Sequence, residues 1–93
     1  MRHLVVSYDV VDDARRARLA KFLTGHLDRV QKSVFEGAVE DPALERLRQG
    51  ITKRIDRSVD SVRIYGICAR CLAAVEIIGS GVYIDDERPD IVV

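Results

Sequence analysis

The chain opens on an apolar run, Leu4-Val5-Val6, that stops at the carboxylate of Asp9. A short unbroken run of this kind predicts a central strand covered on at least one face. Asp disfavours strands, so Asp9, with Tyr8 beside it, marks the strand's end and a loop mouth. There it either caps the following turn or carries chemistry. Asp12 or Asp13 then caps a helix predicted over residues 13–26, since a carboxylate there meets free N–H groups and opposes the helix dipole. Leu19, Phe22, Leu23, His26 and Leu27 share the face that packs on the sheet, while Arg18 and Lys21 point away. Arg16 lies in the first turn, beyond the apolar stripe, leaning over the strand end.

Residues 28–39 alternate only in part and change character at Lys32-Ser33, which predicts two short strands with a bend or bulge between them. Gly37 marks a second irregularity. Asp41-Pro42 opens another helix, with Asp41 as N-cap and Pro42 at the first helical position. Leu44, Leu47, Ile51 and Ile55 form its apolar stripe. Gly50 interrupts it at a cost of about 1 kcal/mol relative to Ala. Residues 60–67 alternate as a strand, with Val62, Ile64 and Gly66 on one side. After a turn at Cys68-Ala69-Arg70-Cys71, the apolar run from Leu72 to Ile78 reads as a further strand ended by Gly79-Ser80-Gly81. Pro89 keeps the last acidic stretch out of a central strand, and Ile91-Val92-Val93 either adds to another sheet edge or frays.

This order predicts an α+β fold, a ferredoxin-like βαββαβ sandwich with an extra C-terminal strand. Residues 1–80 form the domain and residues 81–93 a tail for dimer or partner docking. Helices then cover one sheet face, and a sheet-to-sheet homodimer covers the other.

With 93 residues there is one domain, 47% hydrophobic and 32% charged, as in soluble globular chains. Three Tyr, two Phe and no Trp leave the core to aliphatic side chains. No apolar run spans a bilayer and Met1 leads straight into a strand, so the expected location is cytoplasmic, with no membrane partner. A formal charge of zero argues against a polyanion partner, but the distribution does not. Six basic residues (Arg15, Arg16, Arg18, Lys21, Arg29, Lys32) face one acidic residue between positions 14 and 32. Four acidic residues face one basic residue after position 84. A basic face and an acidic tail follow, or simply solvated helix faces.

Cys68-x-x-Cys71 supplies two of the four ligands a zinc site needs, and His3 and His26 lie far off. A redox dithiol wants the motif at a helix N-terminus after a strand, and here strand-like sequence follows, so a reduced turn is expected. Gly79-Ser80-Gly81 is too short for a phosphate loop. What remains is Asp9 with Tyr8, Arg15, Arg16, Arg18 and Arg29, and Lys32 close to Phe35. A lone carboxylate holds Mg²⁺ poorly. A two-fold axis near the strand end would let two Asp9 carboxylates share one Mg²⁺, and metal-assisted phosphodiester hydrolysis would then have a Lewis acid, an activated water and flanking guanidinium groups.

Ser7-Tyr8-Asp9-Val10 with Asp12-Asp13 and the arginine cluster, the stretch Arg29 to Gly37, Asp60 to Tyr65 and Cys68-x-x-Cys71 together resemble the Cas-two family of CRISPR-associated proteins. The resemblance runs from residue 3 to about residue 78. It implies a ferredoxin-like homodimer whose C-terminal strand packs on the neighbouring protomer's sheet. It also implies a place beside the Cas-one integrase that inserts new spacers, holding duplex DNA along a basic surface. It further implies Mg²⁺-dependent endonuclease activity on single-stranded RNA or double-stranded DNA. Asp9 would be the catalytic metal ligand, supported by Tyr8, Arg16, Arg18, Arg29 and Phe35. Gly66 stands where the family commonly has Pro, and the last fifteen residues match in character only. Two other readings are a toxin-type endoribonuclease of the VapD kind and a DNA scaffold without catalysis.

Overall fold

A computed structural model describes residues 1–83 of the chain. Its elements are β1 (Arg2–Asp9), α1 (Asp13–Thr24), β2 (Asp28–Gln31), β3 (Val34–Val39), α2 (Asp41–Arg54), β4 (Ser61–Ile67) and α3 (Ala69–Ala73). The sheet runs β2-β3-β1-β4 with every neighbouring pair antiparallel. This is the ferredoxin-like arrangement, because each helix carries the chain between strands that another strand separates.

Strand alternation sorts β1 cleanly. Leu4, Val6 and Tyr8 are buried toward the helices, while His3, Val5, Ser7 and Asp9 lie on the other face. Phe35 and Val39 of β3 join the first set, as do Leu19 and Leu23 of α1 and Leu44, Leu47 and Ile51 of α2. The bend expected at Lys32-Ser33 is the tight turn between β2 and β3, and the register slips by one residue between Arg29 and Gln31. Such a bulge bends the strand and adds local twist to the hairpin.

Several local expectations change. α1 stops at Thr24, because Gly25 closes it by donating its N–H to the Phe22 carbonyl. His26 is thus outside the helix and exposed, its ring 4.8 Å from that of Phe22. The cap of α2 is Glu40, which makes no side-chain cap bond; Asp41 instead pairs with Arg2 at 2.6 Å. Gly37 pairs regularly with Leu4, and a Cβ there would stand 3.1 Å from the Leu27 side chain. Its absence of side chain serves packing rather than a bulge.

The expected strand from Leu72 to Ile78 does not form. Cys68 caps the five-residue α3, and residues 74–83 follow without regular structure. Val75, Ile77 and Ile78 are exposed. An apolar run fixes no secondary structure unless a sheet edge accepts its backbone bonds. Among the described residues none does, so the extra C-terminal strand is absent there. The acidic stretch and Ile91-Val92-Val93 lie outside the described residues.

Gly50 is a requirement of packing. A Cβ on it would stand 2.0 Å from the Phe22 ring. That ring is held between His26 and the Arg54 guanidinium, 4.2 Å from its centroid. Overpacking of this kind costs about 1–3 kcal/mol, against about 1 kcal/mol gained in helix propensity. Gly50→Ala is therefore expected to lower the urea midpoint with an unchanged m-value. A raised midpoint would mean that the ring yields freely.

Candidate active site at the end of the first strand

The strand end is held by a buried carboxylate. Asp60, just before β4, has a side chain with no exposed surface. One of its oxygens accepts the Val11 N–H at 3.1 Å and Arg15 Nη2 at 3.2 Å. The other accepts Arg15 Nε at 2.9 Å and the Asp56 N–H at 2.8 Å. The Arg15 guanidinium, aided by the two N–H donors, holds the Asp60 carboxyl down at about 2 against burial, which acts the other way. Asp12 caps α1 by accepting the Arg15 N–H at 2.8 Å. Arg16 donates to the Val10 carbonyl at 2.7 Å and pairs with Asp13. Between them these bonds fix the loop from Val10 to Asp12.

Asp9 stands at the mouth of this frame. It is exposed, and among the described residues its carboxylate has no hydrogen-bond or ion-pair partner. Asp12, Asp13 and Asp60 nearby are all engaged. A groove of about 370 Å³ opens here, with Tyr8, Asp9, Asp13, Arg16, Arg29 and Lys32 among its walls.

The residues expected around Asp9 fare differently. Arg16, Arg29 and Lys32 are brought to the groove, with Lys32 exposed on the hairpin turn. Arg29 donates to the Lys32 carbonyl from Nε at 3.2 Å and Nη2 at 2.6 Å, and lies 5.5 Å over Phe35 and 5.3 Å over Tyr83. Arg18 is exposed on the outer side of α1, away from the groove walls. Arg15 is committed to Asp60. Phe35 is fully buried, its ring centroid 6.2 Å from that of Tyr8. It supports the site through packing and offers no surface to a base. Tyr8 is also buried, which pushes its phenol up despite the nearby Arg29 and Arg16. Its hydroxyl donates to the Lys32 carbonyl at 3.3 Å, tying the hairpin turn to β1.

Asp60 is the functional support that residue patterns miss. Read locally it is the head of a strand, and its partner lies 45 positions away. Only the excess of arginine after Asp13 hinted that one guanidinium would be used internally.

For Mg²⁺, the donor set of one protomer is short. Among the described residues no group of three His, Cys, Asp or Glu side chains converges. An exposed carboxylate without partners nevertheless suits a hydrated hard cation, which keeps several waters and asks for one or two carboxylates. The cysteines play no part here, since Cys68 follows Ile67, whose strand partner is His3 at the far end of β1. The motif sits at the N-terminus of α3, a helix not expected from sequence, where Cys68 Sγ accepts the Cys71 N–H at 3.4 Å. That bond lowers the Cys68 thiol, and its hydrogen bond with Cys68 raises Cys71; both remain free thiols.

Fold and site together define a class: a small ferredoxin-like α+β chain whose first strand ends on an exposed carboxylate near guanidinium groups. The chain belongs to the family described as CRISPR associated protein Cas2, whose model matches residues 1–75. It is 46% identical over 78 residues to the CRISPR-associated endoribonuclease Cas2 1 of Chloroflexus aurantiacus, covering 83% of this chain and 84% of that protein. The crystal structure of Streptococcus pyogenes Cas2 is similar at a TM-score of 0.72 and 30% identity, over 83% of this chain and 99% of that one. A chain of a partial Cas6-RT-Cas1–Cas2 complex is similar at 0.73 and 27%, over 98% and 100% of the two chains.

Asp60 also sets an acid response. Its carboxyl falls from 3.8 to about 2 on folding, so its stabilisation is complete above pH 3.8 and is lost as pH drops through 2. Asp60→Asn is expected to melt well below the parent at neutral pH, with the gap narrowing on acidification. Equal melting temperatures at neutral pH would show that the cluster holds nothing together.

Proposed function

We propose that two copies of this chain pair through their open sheet faces and act as a Mg²⁺-dependent endonuclease. The observation that carries this reading is the carboxylate of Asp9, exposed at a strand end without a partner among the described residues, while Asp12, Asp13 and Asp60 are all engaged. The names of its relatives, endoribonuclease and endonuclease, support it. Val5, Val34 and Tyr65 on the helix-free face support the pairing. Asp9 of each protomer would hold one shared ion, and Asp13, bound to Arg16, would lie behind it.

When bound, Mg²⁺ supplies Lewis-acid charge at the phosphodiester. The chain's own residues do the rest. Lys32, at the hairpin tip, meets the nucleic-acid backbone. Arg29 keeps the groove wall positive, while hydrogen bonds from Arg16 and Arg29 fix the loop and the hairpin. Tyr8 stays neutral and holds the turn in place.

A second role is favoured by the likeness to a chain in a Cas1–Cas2 complex. There the same dimer would hold duplex DNA beside an integrase of the Cas-one kind through the exposed Arg18, Lys21 and Lys32. Each neutralised phosphate adds about −0.9 to the slope of log affinity against log salt.

The deciding assay measures cleavage of single-stranded RNA and duplex DNA with Mg²⁺ or EDTA. Asp9→Ala is expected to abolish metal-dependent cutting with dimer mass and melting temperature unchanged. Cutting by the variant at the parent rate would remove Asp9 from the chemistry. For the DNA-holding role, Lys32→Gln is expected to flatten the salt slope on duplex DNA by about 0.9 for each phosphate that Lys32 neutralises. An unchanged slope would exclude Lys32 from the interface.

A further inference from the structure

Asp9 borders a second hollow, on the face of the sheet that carries no helix. It measures about 240 Å³ and is lined by Ser7, Tyr8, Asp9, Ser61, Arg63 and Tyr65. Strand register explains the grouping. Asp9 stands opposite Ser61 and Ser7 opposite Arg63, so Arg63 is the diagonal cross-strand neighbour of Asp9 on one face. Such neighbours lie about 7–8 Å apart along the backbone. That leaves room for a phosphate between the two side chains.

The electrostatics of this hollow differ from those of the groove. Arg15 and Arg16 are neutralised by Asp60 and Asp13, and Arg29 is bonded to the Lys32 carbonyl. Arg63 is exposed and forms no ion pair with a carboxylate among the described residues. The neighbouring Tyr65 side chain pushes the Arg63 guanidinium up, favouring its charged form. Among the described residues, a guanidinium without a carboxylate partner and a carboxylate without a cation therefore share one small hollow without pairing with each other. A phosphodiester with its cation satisfies both, since the planar fork of Arg matches two phosphate oxygens and the carboxylate takes the metal.

We propose that Arg63 binds the scissile phosphate of a nucleic acid from the open face of the sheet, as a catalytic residue beside Asp9. The proposal rests on the reading of Asp9 as the metal carboxylate. Arg63 forms and breaks no covalent bond. It holds the non-bridging oxygens and stabilises the negative charge that grows on them as water adds to phosphorus. The leaving sugar oxygen departs with one proton of that water, and the other proton passes to solvent. Substrate would then lie in the cleft between the two facing sheets.

The test uses the full-length chain and its Arg63→Gln and Arg63→Lys variants, with a single-stranded RNA and a DNA duplex as probes. Binding is measured in EDTA across a salt series, and cleavage with Mg²⁺. Arg63→Gln is expected to keep the dimer mass and to flatten the salt slope by about 0.7–0.9 for each phosphate that Arg63 neutralises. It is also expected to reduce kcat by about 100-fold or more, as removal of one oxyanion donor does. Arg63→Lys is expected to keep the slope, because the charge remains, and to recover only part of the turnover, because an ammonium cannot bind two oxygens in a fork. A parent slope in Arg63→Gln overturns the proposal. So does loss of the dimer in that variant, which would make Arg63 an interface residue. If Arg63→Gln does not fold, full turnover in Arg63→Lys overturns it and impaired turnover at unchanged slope upholds it. Should the parent cut neither probe, the metal-nuclease reading fails alone, and the EDTA slopes still decide whether Arg63 meets phosphate.

Discussion

The carboxylate of Asp60 is the joint on which the working end of this molecule depends. It gathers a helical guanidinium from α1 and two backbone N–H groups from separate loops, so the exit from β1 and the entry to β4 become one rigid piece. Burying an ion pair is costly, and only a fully satisfied one persists. Four donors on two oxygens meet that condition. With the joint in place, Val10 is buried, Asp12 caps α1, and Asp9 is held at the mouth without a partner among the described residues. The site is thus a consequence of pairing its neighbours.

That pairing reshapes the basic face. Of the six cations between residues 14 and 32, Arg15 and Arg16 are spent on acids and Arg29 on a carbonyl. Arg18, Lys21 and Lys32 remain exposed. Counting charges along the sequence therefore overstates what this surface offers a polyanion. Arg63, in a strand whose pattern looked purely structural, supplies a cation where the carboxylate is.

Most of the fold was legible because it rests on short-range periodicity. Alternation in β1 and β4 and the Leu44-Leu47-Ile51 stripe name the core correctly, and the break at Lys32-Ser33 locates the hairpin. Periodicity fails where tertiary context decides. Leu72 to Ile78 has strand composition but no edge to join among the described residues, so Cys68 starts a helix instead. Gly50 reads as a defect in α2 until the Phe22 ring is seen to occupy its missing side chain. In the site, Asp9 was legible from its place at the strand end. Tyr8 and Phe35 were candidates for contact with nucleic acid, but alternation turns both toward the helices, where Phe35 is sealed and Tyr8 nearly so. The link from Asp60 to Arg15 spans 45 residues and leaves no local pattern.

Charge economy also ties assembly to binding. One protomer presents few uncompensated cations near Asp9, and the formal charge of the chain is zero. The electrostatic part of nucleic-acid affinity grows in log units with the number of phosphates neutralised. A two-fold dimer doubles that number, so it squares the electrostatic factor that a single protomer could reach. Such an axis would also double the carboxylates available to a metal, from one Asp9 to two. Both shortages of the lone protomer, in cations and in metal donors, thus have one remedy. The helix-free face, which carries Asp9 and Arg63 together with Val5 and Tyr65, is where that remedy would act.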